Sequence, residues 1–138
     1  DICVYFGLGC RNVTKLYVPQ NYDFVPLLAS VKKYGYFQDL HKYKHNYDYQ
    51  LALLMMSNKF YMTDGVTLFT ENESPFTPLS QVHFEYYEDK EAVTAPLQRN
   101  QDIQAVVGHG FTPFGQAQRP ALDDYADGMD TLEFLLRL

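Results

Sequence analysis

The sequence predicts an α/β fold, an open and mostly parallel sheet with flanking helices, and three observations carry that reading. Apolar residues at helical spacing alternate along the chain with single short runs of strand-forming residues. The pair Asp64-Gly65 separates two apolar runs and predicts one local antiparallel hairpin. The 138 residues are 46% hydrophobic, enough to bury one modest core.

The first block, Val4 to Val18, ends in a strand over Thr14 to Val18 that Pro19 closes. Residues 22–33 read as an amphipathic helix with Phe24, Leu27, Leu28 and Val31 on one face. Asn21 is its expected N-cap, Asp23 suits the first-turn dipole, and Gly35 is expected to end it. A second helix is expected from about Tyr47 to Ser57, with Leu51, Leu54 and Met55 on one face. The hairpin joins Phe60 to Met62 with Val66 to Thr70, and Pro75 and Pro78 make residues 71–80 a loop. Gln81 to Tyr87 alternates as a strand, with Val82, Phe84 and Tyr86 inward and His83 half-exposed on the polar side. Glu88 to Gln98 reads as a helix whose end Pro96 limits. Ile103 to Val107 reads as a short buried strand, His109 to Gln118 as a glycine-rich loop, and Asp123 to Gly128 as a helical turn. Leu132, Phe134, Leu136 and Leu138 alternate as in a strand, while Leu135 also allows a helix.

The net charge of −6 argues against a general nucleic-acid binder, which needs clustered Lys and Arg against phosphates. The densest basic stretch, His41 to His45, is short and mixed. No apolar run approaches the roughly 20 residues that span a bilayer; the longest is Leu51 to Met56. The chain opens Asp1-Ile2-Cys3 without the features of a leader, and it is expected to begin mid-protein. Two cysteines, Cys3 and Cys10, are too few for a disulfide scaffold; their count allows one Cys3–Cys10 bridge, but a reduced, cytoplasmic setting is expected. The sequons at Asn12 and Asn72 are read as chance. His41 and His45 stand four apart, but no HExxH pattern or cysteine cluster supports a metal, and none is expected. The tyrosines Tyr34, Tyr36, Tyr43, Tyr47 and Tyr49 suit either a channel wall or an interface, with the interface favoured. The Asp123, Asp124 and Asp127 group is read as local helix caps.

The most informative stretch is Tyr5-Phe6-Gly7-Leu8-Gly9-Cys10-Arg11-Asn12. Glycines just before a cysteine allow close approach of a ligand and unusual backbone angles. A cysteine on such a bend is reachable by a carbonyl carbon, and backbone N–H groups around Gly9, Cys10 and Arg11 can face the oxygen that becomes negative during attack. Arg11 and Lys15 are cations placed to favour the reactive thiolate. His109, between Gly108 and Gly110, is a candidate to line a cleft. His83 is read as a sheet residue and not as a base.

The run FGLGCRNVTKLYVP resembles the nucleophile segment of aldehyde dehydrogenases: a glycine-containing turn, a cysteine, a basic residue five places on, then a strand. A second anchor, Pro113-Phe114-Gly115 followed by Asp123 to Gly128, is similar to the late Pro-Phe-Gly loop of that superfamily and the short helix after it. Within the superfamily the spelling resembles bacterial long-chain acyl-CoA reductases related to the fatty-acid reductase of bioluminescence systems. The resemblance covers nearly all of the chain.

It implies an aldehyde-dehydrogenase-like catalytic domain, with residues 1–138 as the C-terminal, cysteine-bearing portion and the cofactor domain expected upstream. It implies that Cys10 takes the acyl group from a fatty acyl-CoA. Hydride from NADPH or NADH then releases a fatty aldehyde. It places Phe114 and Gly115, with His109, in the substrate cleft. Glu73 and Phe76 fall where the superfamily keeps a ribose-binding Glu-x-Phe-Gly-Pro loop, although Ser74 occupies the glutamate's usual position and the acid stands one place earlier. An acyl-thioester substrate, no nucleic acid, no membrane segment and a possible homo-oligomer complete the expectation. The alternatives are a CoA-acylating aldehyde dehydrogenase and, from another class, a non-catalytic α/β interaction domain.

Overall fold

The computed structural model describes residues 1–100, 102–125 and 128–138. Strand β1 (Lys15–Pro19) lies at one edge of the sheet beside β4 (Gln81–Tyr87), and the two run parallel. On its far side β4 pairs in parallel with β3 (Leu68–Glu71). Short β2 (Met62–Thr63) then pairs antiparallel with β3 and closes the other edge. The sheet is therefore open and mixed, with two parallel pairs and one hairpin. The hairpin stands where Asp64-Gly65 predicts it, with each arm starting two residues later than expected, at Met62 and at Leu68. Asp64 Oδ1 accepts from Val66 N–H (3.1 Å) and Thr67 N–H (2.8 Å), and Gly65 takes φ +91°, which costs glycine nothing.

Register sorts the side chains. Leu16, Val18, Phe69, Val82 and Phe84 fall on one face. They pack with Phe24, Val31, Phe37, Tyr43 and Cys3 into the main core. Phe37 is its hub, ringed by Phe6, Tyr34, Tyr36 and Tyr43 at centroid distances of 4.8, 5.5, 4.9 and 4.8 Å. Lys15, Tyr17, His83, Glu85 and Thr70 fall on the opposite face.

The helices depart from the sequence reading in ways that packing explains. Helix α1 (Val25–Val31) is shorter than expected, with Pro26 in its first turn. Asn21 has φ +62° and does not cap it, and Asp23 Oδ1 instead accepts from Val25 N–H. Gly35 does not stop the chain either, because a 3-10 segment continues over Lys32–Asp39 and carries Phe37 into the core. Helix α2 (His41–Met56) starts a turn and a half before the expected Tyr47. Its buried face is Tyr43, Tyr47 and Leu54, and Met55 is exposed. The two tyrosines carry apolar rings, so the helix needs fewer aliphatics than a periodicity count of Leu and Met assumes. Helix α3 (Lys90–Arg99) is capped by Asp89 and runs through Pro96, whose ring costs the helix one backbone donor without ending it.

Ile103 to Val107 does not join the sheet; the segment is half-buried, with a single bridge between Val107 and Thr112. Helix α4 (Thr131–Leu136) settles the last segment, with Asp130 Oδ1 accepting from Glu133 N–H. The expected turn over Asp123 to Gly128 lies partly outside the described residues, as does Asp127.

Candidate functional site

Asn12 builds the cysteine turn. Its N–H donates to Gly9 O (2.9 Å), closing a turn that places Cys10 at the second position. Its buried side chain then ties the turn to the chain start. Oδ1 accepts from Gly9 N–H (2.7 Å), and the two hydrogens of Nδ2 are shared among the carbonyls of Asp1, Ile2 and Val4 (2.8, 2.9 and 2.9 Å). A Cβ at position 9 would stand 2.6 Å from Asn12 Oδ1, so only glycine fits there. Cys10 is thereby presented as an exposed free thiol, and Cys3 is a buried free thiol. Tyr5 (φ +53°) and Phe6 (φ +60°) take left-handed backbone between the two, which sends the cysteines into different surroundings.

The turn is bound to the late segment. Asp1 Oδ2 and Oδ1 accept from the N–H groups of Gly115 (2.6 Å) and Ala117 (3.1 Å). Arg11 Nε donates to Ala117 O (2.6 Å), and its guanidinium pairs with Asp124 at 2.8 Å. Gln118 Nε2 donates to Asn12 Oδ1 (3.2 Å). The two anchors of the sequence reading thus form one body. Both line a groove of about 930 Å³, together with Lys15, Leu16 and Tyr17 of β1 and residues of α1, of α3 and of the segment 102–115.

Gly9, Cys10 and Arg11 line this groove, and so do His109, Phe114 and Gly115. The His109 and Phe114 rings meet edge to face at 5.7 Å. Phe76 lines the same groove from the loop between β3 and β4. Glu73 is exposed on that loop and does not line the groove. Of the tyrosines, Tyr34 lines the groove, Tyr43 and Tyr47 are core, and Tyr36 and Tyr49 are exposed. The His41 and His45 rings lie on the exposed first turns of α2, 6.3 Å apart.

Both cations near the cysteine already have partners. Arg11 is held by Asp124 and the Ala117 carbonyl. Lys15, with only 5% of its side chain exposed, pairs with Glu85 at 2.6 Å and donates to Glu73 O. Each cation thus pairs with a carboxylate brought in from elsewhere in the chain. His83 is buried, not half-exposed, because the 73–77 loop covers its face and Ser74 O meets its Nδ1 at 2.8 Å. Burial, first of all, pushes the Cys3 thiol up.

Among the described residues no cluster of three or more His, Cys, Asp or Glu side chains is placed to hold a metal. Glu73 stands off the groove, and no Gly-x-Gly-x-x-Gly turn leads into a helix. Among the described residues no helix is long and apolar enough to cross a membrane. No protein-family model, curated protein or solved structure matches this chain.

Sequence reasoning missed Asn12 and Asp1. Asn12 was visible as the end of the cysteine stretch and as a sequon but was given no role, and Asp1 carries no pattern at all. The usable signal was an Asn two residues after a Gly-Cys pair, a residue type that bonds its own turn.

Proposed function

We propose that the chain is the cysteine-bearing part of an acyl-CoA reductase, in which Cys10 accepts the acyl group of a fatty acyl thioester. The observation that supports this reading is the exposed Cys10 thiol in one groove with the Pro113-Phe114-Gly115 loop. In the acyl-transfer step the Cys10 sulfur attacks the thioester carbonyl carbon. The bond from that carbon to the coenzyme A sulfur breaks. Coenzyme A leaves as the thiol, carrying the proton that Cys10 gives up. A turn's second residue has an N–H that the turn itself does not use, so Cys10 N–H is available to the carbonyl oxygen as it gains charge. The apolar side chains of the groove, among them Val93, Leu97 and Val106, suit an acyl chain.

Release of aldehyde needs hydride from NADPH or NADH. In this reading the dinucleotide is bound mainly by residues outside this chain, so no hydride step is assigned to these side chains. A CoA-acylating aldehyde dehydrogenase uses the same sulfur in the reverse direction.

The test is direct. Incubation of the chain with palmitoyl-CoA should give one palmitoyl adduct, mapped to Cys10 by peptide mass spectrometry and absent in Cys10→Ser. An adduct on neither cysteine, or equal slow labelling of Cys3 and Cys10, would overturn the proposal. That outcome would favour the interaction-domain reading, which the exposed apolar side chains of α2 (Leu53, Met56) and α4 (Leu132, Leu136) support.

A further inference from the structure

Parallel neighbours β3 and β4 need a crossover, and such connections ordinarily take a dozen or more residues with a helix. Here residues 72–80 make it without one. The crossover passes over the sheet face that carries Lys15 and His83, and three polar side chains grip it there. Lys15 Nζ donates to Glu73 O. His83 Nδ1 donates to Ser74 O at 2.8 Å; a carbonyl only accepts, so Nδ1 carries the proton. Thr14 Oγ1 donates to Pro75 O at 2.7 Å. Three successive carbonyls are thus turned into the sheet, and the next residue, Phe76, 66% exposed, is sent outward to line the groove.

Simple cover for a sheet face does not call for this. Apolar packing would do it without burying an ammonium group, whose desolvation is expensive even when it is paired. Two of the three donors, Thr14 and Lys15, sit on the same short stretch that leaves the cysteine turn. The position of Cys10 and the position of Phe76 are therefore set by one piece of backbone. Glu85 completes the arrangement by holding the Lys15 ammonium at 2.6 Å.

We infer that Thr14, Lys15 and His83 are positioning residues for the Cys10 site. They fix the 73–77 crossover so that Phe76 forms a set wall of the groove, against which the thioester is aligned. The inference rests on the acyl-transfer reading for its consequence and on the three hydrogen bonds for its mechanism. A misplacement of about 1 Å in such a wall costs on the order of a hundredfold in a step that depends on orientation. A small alkylating reagent has no long body to align and is indifferent to it.

The experiment compares the wild-type chain with Lys15→Met, Lys15→Arg, His83→Leu and, as the mildest lesion, Thr14→Val. Amide hydrogen exchange at Ser74 and Phe76 reports the clamp. Rates of Cys10 acylation by palmitoyl-CoA and of alkylation by iodoacetamide report its consequence. Lys15→Met and His83→Leu should speed exchange at both amides and slow acylation by about tenfold or more, with alkylation within about twofold of wild type. Lys15→Arg should restore both readouts in part. Should Lys15→Met fail to fold, judged by exchange at Val82 and Phe84, Thr14→Val carries the same comparison. Unchanged exchange would overturn the clamp, and faster exchange with unchanged acylation would overturn its role at Cys10. If wild-type Cys10 takes no palmitoyl group, the acyl-transfer reading falls, and exchange at Ser74 and Phe76 still decides whether the clamp exists.

Discussion

Cys3 and Cys10 share one short loop and meet opposite surroundings. Cys3 is 5% exposed and packs with Phe37, Tyr43 and Phe84 in the main core. Cys10 is exposed at the tip of a turn that Asn12 ties down. Two left-handed residues, Tyr5 and Phe6, separate them. The residue type is the same, so the difference lies in solvent and hydrogen bonding. The thiol in the core is inert packing, and the thiol on the turn is available for chemistry. Iodoacetamide should therefore label Cys10 at least about a hundredfold faster than Cys3 in the folded chain, since Cys3 reacts only through opening. In 8 M urea the two should label at similar rates. Comparable labelling without denaturant would erase the contrast.

Asn12 is what separates the two environments, so its removal tests the comparison next. Asn12→Ala deletes the five polar contacts of its side chain and strands Gly9 N–H and the Ile2 and Val4 carbonyls, while the Asp1 carbonyl keeps the Val13 N–H. A cost of about 3 kcal/mol is expected in urea unfolding, because buried groups are left unpaired. Labelling of Cys3 should rise at the same time as its cover loosens. A loss below about 1 kcal/mol would mean that the turn forms without its side-chain tie.

How much of this was legible beforehand follows from what each signal encodes. Strand β4 was readable because its alternation is local. The hairpin was readable because Asp64-Gly65 states its own geometry. The structure brings the cysteine turn and the Pro-Phe-Gly segment together through Asp1, Arg11 and Asn12, contacts that no local pattern in the sequence encodes. The extent of α2 was not legible, since tyrosines at positions 43 and 47 look polar to a periodicity count and behave as core. The burial of His83 was hidden as well, because the cover comes from a loop whose path depends on three side-chain bonds. Arg11 and Lys15 were assigned to the thiolate from adjacency alone. The ion pairs they make, with Asp124 and Glu85, join segments far apart in sequence and carry no local signal.

The core side of the comparison has its own pH signature. Burial raises the pKa of Cys3, and it does the same to the Tyr43 and Tyr47 phenols. All three are acids whose neutral form the fold prefers. Each contribution to stability is whole below the group's ordinary value and is lost as pH rises past it, from 9.0 for Cys3 and from 10.0 for the two tyrosines, because the unfolded chain ionises first. The wild-type chain should lose on the order of 1 kcal/mol more than Tyr43→Phe between pH 7 and pH 10.5, measured by urea unfolding. Equal losses would show that the Tyr43 phenol ionises as easily in the fold as outside it.

The smallest expected effect lies on the exposed side, where Arg11 joins the cysteine turn to the late segment by two kinds of bond. The ion pair to Asp124 has a partner side chain that is 40% exposed, so solvent screens it and it is worth at most about 1 kcal/mol. The bond from Nε to Ala117 O is different, because Ala117 is fully buried and its carbonyl has less access to water. Asp124→Asn removes only the screened pair and should cost a few tenths of a kcal/mol, an effect that fades at high salt. Arg11→Met removes both and should cost about 1 kcal/mol, largely independent of salt. It should also slow palmitoyl-CoA labelling more than iodoacetamide labelling, since only the larger reagent needs the turn and the Pro-Phe-Gly loop in register. If Asp124→Asn costs as much as Arg11→Met, the charge pair holds the two segments together and the backbone bond is incidental.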